Sequence, residues 1–129
     1  HTAGLGISTL IIGVATFAPE VNGTISNNIV LNQAGSVIDT TSTPTLSGVL
    51  SGTGILNKTG SGTLTLTGAK TYTGSTSVSS GRLRIDSCNS LPSTTITVSG
   101  GELLLNAASA TSSTAAITVN SGTLTSNNY

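Results

Sequence analysis

The sequence contains very few charged and aromatic residues. Only 6% of its 129 residues are charged and the formal net charge is zero, so the chain lacks the positive field that attracts nucleic acid or anionic lipid. Aromatic residues make up 2%, and Met and Trp are absent, so a core must be built from small aliphatic side chains. The single cysteine, Cys88, excludes an internal disulfide. A buried thiol is favoured over pairing between chains.

The sequence is instead rich in Thr, Val and Ile, together with 16 Gly and many Ser. β-Branched residues favour strands, whereas Gly, Ser and Asn favour tight turns. Apolar and hydroxyl residues alternate in Thr63–Thr67 and Thr95–Val98, which is the period of strands buried on one side. No window of helical length carries an apolar stripe with a period of 3.6 residues. One all-β domain with short strands is therefore predicted.

An internal repeat runs through the second half of the chain. Three segments share one plan, in which Val is followed three residues later by Gly and two further on by Leu. The markers recur at intervals of 20 and then 21 residues, as in Val78, Val98 and Val119. Such a period is typical of solenoids, in which each repeat forms one rung that pairs with the rungs above and below it.

The repeat predicts which residues form the core and which form the corners. The residues expected to point inward and stack are Leu64, Leu66, Val78, Leu83, Val98, Leu103, Val119 and Leu124. The glycines expected at tight corners, where a positive φ is needed, are Gly62, Gly81, Gly101 and Gly122. At about 20 residues per turn the chain would form about five or six rungs, each rising about 4.8 Å.

Residues 46–85 closely resemble the autotransporter-associated β-strand repeat of bacterial passenger domains. The resemblance rests on Lys58–Leu66 (KTGSGTLTL), Lys70–Thr76 (KTYTGST) and the Gly-x-Leu of Gly81–Leu83. Lys70 departs from the family, which usually has Asn there. The resemblance implies a right-handed parallel β-helix outside the cell, usually carried to the surface by a C-terminal membrane barrel. Whether the chain is a fragment of a larger passenger or a complete subunit is left open.

The N-terminal region, residues 1–20, is predicted to be an apolar strand segment that precedes a solenoid formed by residues 21–129. The apolar run from Leu5 to Ala18 is short for a membrane-spanning helix and is interrupted by Gly and Thr, so membrane insertion is not expected. Solenoid ends expose unpaired strands, and this segment carries no charged cap. Head-to-tail self-association is therefore predicted, through Leu5, Ile7, Leu10, Ile12, Val14 and Phe17.

No constellation of catalytic or metal-binding residues is visible in the sequence. Asp86 and Glu102 are the nearest approach to a paired-carboxylate motif and are 16 residues apart, and the only histidine is His1. No cofactor or metal is expected. Lys58, Lys70, Arg82 and Arg84 are interpreted as solvated charges that aid solubility and protect edges, although neighbouring rungs could align them into a basic strip.

We therefore expect a non-enzymatic extracellular solenoid, either structural or adhesive, used as a surface-display stalk or a fibre subunit. Self-association is the expected partnership, and a host-surface or glycan ligand is a further candidate. The alternative is a carbohydrate-binding or carbohydrate-cleaving β-helix, since one solenoid fold hosts all these functions. A third hypothesis is an ice-binding surface built from ladders of Thr such as Thr63, Thr65 and Thr67.

Overall fold

The computed structural model describes residues 9–12, 16–32, 37–86, 95–106 and 116–127. These ranges contain strands and connecting turns, and no helix. The strands are β1 Leu10–Ile12, β2 Thr16–Phe17, β3 Thr24–Ile25, β4 Ile29–Leu31, β5 Val37–Asp39, β6 Thr45–Leu46, β7 Leu50–Gly52, β8 Leu56–Thr59, β9 Thr63–Leu66, β10 Thr76–Val78, β11 Arg82–Ile85, β12 Ile96–Val98, β13 Glu102–Leu105, β14 Ile117–Val119 and β15 Thr123–Ser126.

The strands form three parallel sheets around one core. Sheet I has the order β1-β4-β7, sheet II β14-β12-β10-β8-β5-β2, and sheet III β15-β13-β11-β9-β6-β3. From β1 to β9 the chain visits sheets I, II and III in turn, and from β10 to β15 the described strands alternate between sheets II and III. We call one such circuit of the axis a rung. The prediction of an all-β parallel solenoid is thereby confirmed.

The sequence repeat and the strand register coincide. Leu83 pairs with Leu64 on one side and with Leu103 on the other, and Val98 pairs with Val78 and Val119. Side chains of a strand alternate between its two faces, so each inward position lies over the equivalent inward position of the rung below. The result is a set of stacked aliphatic columns that fill a narrow interior.

Backbone hydrogen bonds run between rungs and along the axis of the solenoid. The Leu56 N–H donates to the Ser75 carbonyl at 3.0 Å, and the Ser79 N–H donates to the Lys58 carbonyl at 2.9 Å. A parallel strand within one rung has no partner in its own rung, so each rung depends on its neighbours for these bonds.

The strands at the N-terminal end are short and belong to the same sheets as the rest. β1 pairs with β4 in sheet I, and β2 pairs with β5 in sheet II. The sheets therefore show no break at residue 20 within the described residues.

Candidate functional site

The outward face of sheet III carries two lines of hydrogen-bonded polar side chains. We call this set the charged ladder. In β11 the inward Leu83 and Ile85 alternate with Arg82 and Arg84, which therefore point outward. The members of the charged ladder are Arg82, Arg84, Asp86, Glu102, Asn106, Thr125 and Asn127.

Glu102 links three strands of sheet III. Its Oε2 accepts from Arg82 Nε at 2.6 Å, and its Oε1 accepts from the Thr125 hydroxyl at 2.8 Å. The Thr125 hydrogen bond, followed by the bond and charge of Arg82, lowers the pKa of the Glu102 carboxyl. Glu102 is thus held ionised at neutral pH.

Asp86 begins the second line of the charged ladder. Its Oδ1 accepts from Arg84 Nε at 2.6 Å and from Asn106 Nδ2 at 2.8 Å. Asn106 Oδ1 in turn accepts from Asn127 Nδ2 at 2.8 Å, one rung further along. The two arginine side chains remain 47% and 40% exposed, so their guanidinium groups are accessible although both Nε atoms are bonded. The ladder carries two positive and two negative charges, and its hydrogen-bonding groups are oriented by these contacts.

Asp86 and Glu102, the nearest approach to a paired-carboxylate motif in the sequence, have different hydrogen-bond partners in the structure. Each is bonded to its own arginine, in separate lines of the ladder. Within the described residues, no cluster of His, Cys, Asp and Glu is arranged to hold a metal ion. Cys88 lies outside the described residues.

The predicted threonine ladders are interrupted by the same charged residues. Thr63 pairs with Arg82 and Thr65 pairs with Arg84 in the register of sheet III. A flat ice-binding face needs hydroxyls in successive rungs, and here long charged side chains replace them. The arrangement does not support the ice-binding hypothesis.

Six of the eight predicted core residues are buried in the structure, and two are not. Those buried are Leu64, Leu66, Val78, Leu83, Val98 and Leu103. Val119 and Leu124 stack in register on Val98 and Leu103, yet each is 42% exposed. The difference arises because β14 and β15 end their sheets, so no described strand covers them.

The four predicted corner glycines stack in one column, but only Gly81 has the expected positive φ, of 68°. Gly62, Gly101 and Gly122 are required for a different reason. A Cβ at any of these positions would overlap a backbone carbonyl oxygen of the preceding rung, as that of Gly101 would at 2.6 Å from Gly81 O. Close approach of rungs, and not left-handed backbone, explains these three glycines.

The interpretation of Lys58 and Lys70 as solvated surface charges is wrong, because their side chains are 0% and 7% exposed. Lys58 occupies an inward column between Ile38 and Val78. Its Nζ donates to the carbonyl oxygens of Thr59 and of Gly60, the latter at 3.2 Å. A lysine stem packs against apolar neighbours while its amine binds the corner carbonyls.

The electrostatics of the two lysines follow from these positions. Burial lowers the pKa of Lys58, and the Asp39 carboxylate opposes this in part by raising it. Lys70 Nζ donates to the Gly68 carbonyl at 2.8 Å, at the corner that precedes it. No basic strip exists that includes Lys58 and Lys70, and Arg82 and Arg84 are neutralised by carboxylates.

Tyr72 is a core residue that the sequence reasoning missed. It is 0% exposed, and its hydroxyl shares a 2.6 Å hydrogen bond with the hydroxyl of the buried Thr76. Burial raises the pKa of Tyr72 to about 12, an effect that the Thr76 hydrogen bond opposes.

The residues predicted to mediate self-association are placed only in part. Leu10 and Ile12 lie in β1, which pairs with β4, and Phe17 lies in β2 and packs half-buried against the core. Leu5, Ile7 and Val14 lie outside the described residues. The described part of the chain contains no helix with the length and apolar character needed to cross a membrane.

The fold and the charged ladder together define a parallel β-solenoid whose core is stacked aliphatic columns and whose outer face is polar. Residues 56–85 match the passenger-associated-transport-repeat family. The chain therefore carries a repeat of the autotransporter passenger family, and the resemblance drawn from its motifs is confirmed.

A curated relative agrees with this assignment. The chain is 40% identical over 93 residues to the adhesin BmaC autotransporter of Brucella suis biovar 1 (strain 1330). The aligned part is 70% of this chain and 3% of that protein, so the chain spans a very small part of its relative. No solved structure matches the chain.

Proposed function

We propose that this chain is a non-enzymatic stretch of an extracellular, surface-displayed β-solenoid and that it acts in adhesion. The matched repeat and the 40% identity to an adhesin autotransporter support the proposal. The same relationship supports a location at the bacterial surface or in the secreted fraction. The name adhesin describes the whole relative, of which the aligned stretch is 3%, and its extension to this chain is part of the proposal.

The observation that carries the proposal is the charged ladder. Adhesion needs an accessible surface whose polar groups are already oriented, because groups fixed before binding lose less entropy when a ligand arrives. Cross-strand bonds fix Glu102, Asp86 and Asn106 in this way, while Arg82 and Arg84 stay accessible. A neutral, hydrogen-bonding face suits a polar host-surface ligand such as a glycan.

The same bonds argue against a carbohydrate-cleaving enzyme. A general acid for glycoside cleavage needs a raised pKa, so that the carboxyl carries a proton at working pH. The pKa of Glu102 is lowered instead. A solenoid that displays a binding surface is the better account of these residues.

A binding assay with the purified chain tests this function. Beads coated with the chain should bind cultured host cells, and Arg82→Gln combined with Arg84→Gln should reduce the bound fraction by about tenfold. Ser77→Ala, on the outward face of sheet II, is the matched control and should bind like the unmodified chain.

Two outcomes would contradict the proposal. Equal binding by the double variant and the unmodified chain would remove the charged ladder from adhesion. Turnover of a polysaccharide by the purified chain, abolished by Glu102→Gln, would replace the scaffold with an enzyme.

We also propose that the solenoid is right-handed and has five to six rungs. Six strands in each of sheets II and III support this number. At about 4.8 Å per rung the stack would be about 25 to 30 Å long. An electron-microscopic reconstruction would measure both the hand and the length.

Head-to-tail self-association is a further proposal for the ends of the stack. β1, β2 and β3 are edge strands at one end, β14 and β15 are edge strands at the other, and Val119 and Leu124 add exposed apolar surface. Sedimentation should show concentration-dependent association that Leu124→Lys abolishes and Leu104→Lys, on the outward face, does not. A chain that stays monomeric at high concentration would refute it.

A further inference from the structure

The hydrogen bonds of this solenoid fall into two kinds with different consequences for folding. Backbone bonds and most side-chain bonds join one rung to the next, across about 20 residues of sequence, as Ser80 Oγ to Gly60 O shows at 3.3 Å. Such bonds form only after a loop of that length has closed and lost its entropy. Bonds within one rung require no such closure.

Among the described residues, several bonds within one rung lie in residues 58–86. Lys58 donates to Thr59 and Gly60, and Lys70 donates to Gly68. The donor and acceptor of each of these bonds are one or two residues apart. Elsewhere in the described residues, the Ser42 N–H donates to the Thr40 hydroxyl at 3.0 Å.

Two further local bonds shape the next rung. The hydroxyls of Tyr72 and Thr76 are 2.6 Å apart and span the chain between sheet I and β10. Arg84 Nε donates to Asp86 Oδ1 at 2.6 Å at the end of β11. Together with the lysine bonds, they lie at the corners after β8 and β9, before β10 and at the end of β11.

We propose that residues 56–85 are the folding nucleus of the solenoid, from which the other rungs form by stacking in both directions. Local side-chain bonds shape these corners before the strands pair. Less chain entropy is therefore lost when β8 pairs with β10 and β9 pairs with β11. The largest fully buried side chains of these two rungs are Tyr72 and Lys58, and their packing is gained early. In repeat proteins folding can nucleate at any repeat and then propagate to its neighbours, so the two rungs that contain residues 56–85 would suffice as a nucleus. The inference goes beyond the proposed adhesive function and does not depend on it.

Refolding and unfolding kinetics of the full chain test the proposal, followed by far-ultraviolet circular dichroism under reducing conditions. Thr76→Val and Lys58→Met should slow refolding by about fivefold and change the unfolding rate by less than about twofold. Thr40→Val, the same chemical change at another buried threonine, and Leu103→Ala in a later rung should chiefly accelerate unfolding.

Pulse-labelling hydrogen exchange of the unmodified chain provides a test that does not depend on any variant. The amides of Leu56 and Ser79, which bond β8 to β10, should become protected before those of Ile96 and Asn120. Simultaneous protection throughout the chain, or slower refolding of Leu103→Ala than of Thr76→Val, would overturn the proposal.

Discussion

Lys58 and Gly81 share one corner of the solenoid. The Lys58 amine lies under Gly81 so closely that a Cβ on Gly81 would be 2.8 Å from Nζ and would also approach the Gly62 carbonyl oxygen to 2.5 Å. Gly81 therefore combines a positive φ with a position close to the buried Lys58 amine.

Gly81→Ala is expected to destabilise the protein by about 2 to 4 kcal/mol, because Ala disfavours the positive φ and its methyl group displaces both neighbours. Urea denaturation measures the change. In a Lys58→Met background the amine is gone, so the same substitution should be less destabilising by about 1 kcal/mol. Strictly additive effects would show that the two residues are independent.

The pKa of Lys58 predicts an unusual rise of stability with pH. Because its folded-state pKa is lowered from 10.5, the unfolded chain holds this proton more tightly than the folded chain. The free energy of unfolding should therefore increase as pH rises through the interval between the folded pKa and 10.5. Lys58→Met should lack this increase. A free energy that declines over the same interval in the unmodified chain, with no difference from the variant, would contradict the assignment.

Tyr72 predicts the opposite behaviour at higher pH. Its folded pKa is raised to about 12 from 10.0, so stability is full below pH 10 and is lost as pH rises towards 12. The loss should approach about 3 kcal/mol, since a pKa difference of one corresponds to about 1.4 kcal/mol. Tyr72→Phe should remove this dependence on pH. It should also lower the free energy of unfolding by about 1 kcal/mol at neutral pH, because the hydrogen bond to Thr76 is lost. Spectrophotometric titration, with Tyr129 as the other tyrosine, locates the ionisation directly.

Arg82 and Glu102 should show a small coupling energy. Both are partly exposed, so a double-mutant cycle with Arg82→Gln and Glu102→Gln should give no more than about 1 kcal/mol at low salt. High salt should reduce it. Since the pKa of Glu102 is lowered in the folded state, the stabilisation is present above about pH 4.5 and is lost as pH falls through the folded-state pKa. Coupling unchanged at low pH would exclude an ionic origin.

Substitutions at Leu103 and Leu124, which occupy one column, measure how far the packed core extends along the solenoid axis. Leu103 is 0% exposed and Leu124 42% exposed, although they are partners in the register. Leu103→Ala should destabilise by about 2 to 5 kcal/mol, as expected for a cavity in a packed core. Leu124→Ala should destabilise by less than about 1 kcal/mol. Similar values for both would mean that further chain or a second molecule covers Leu124.

The repeat allowed the parallel register to be predicted, because Val, Gly and Leu recur together after 20 and then 21 residues, which is typical of a solenoid. Sequence reasoning failed at Lys58 because charge was weighed above position. Lys58 precedes Val78 by 20 residues and follows Leu56 by two, and both facts place it inside. The partner of Lys58 could not be predicted from the sequence, because the carbonyl-lined corner that binds its amine forms only when the chain turns.

The exposure of Val119 and Leu124 could not be predicted for a different reason. Periodicity determines which face a residue occupies, and it says nothing of how many rungs lie above it. The charged ladder was missed because its members, such as Asp86 and Asn106, are 20 residues apart and meet only across strands. Equivalent outward positions one repeat apart are the signal that would have revealed it.

The axial direction of the backbone hydrogen bonds determines how such a solenoid bears load. A tether pulled along its axis carries the same tension across every boundary between rungs, so the boundaries act in series and the weakest one parts first. The strands of the N-terminal end, β2 and β3, are two residues long, whereas β11 and β13 are four residues long. Under tension sheets II and III should therefore separate more readily where β2 and β3 pair with β5 and β6 than where β11 pairs with β13.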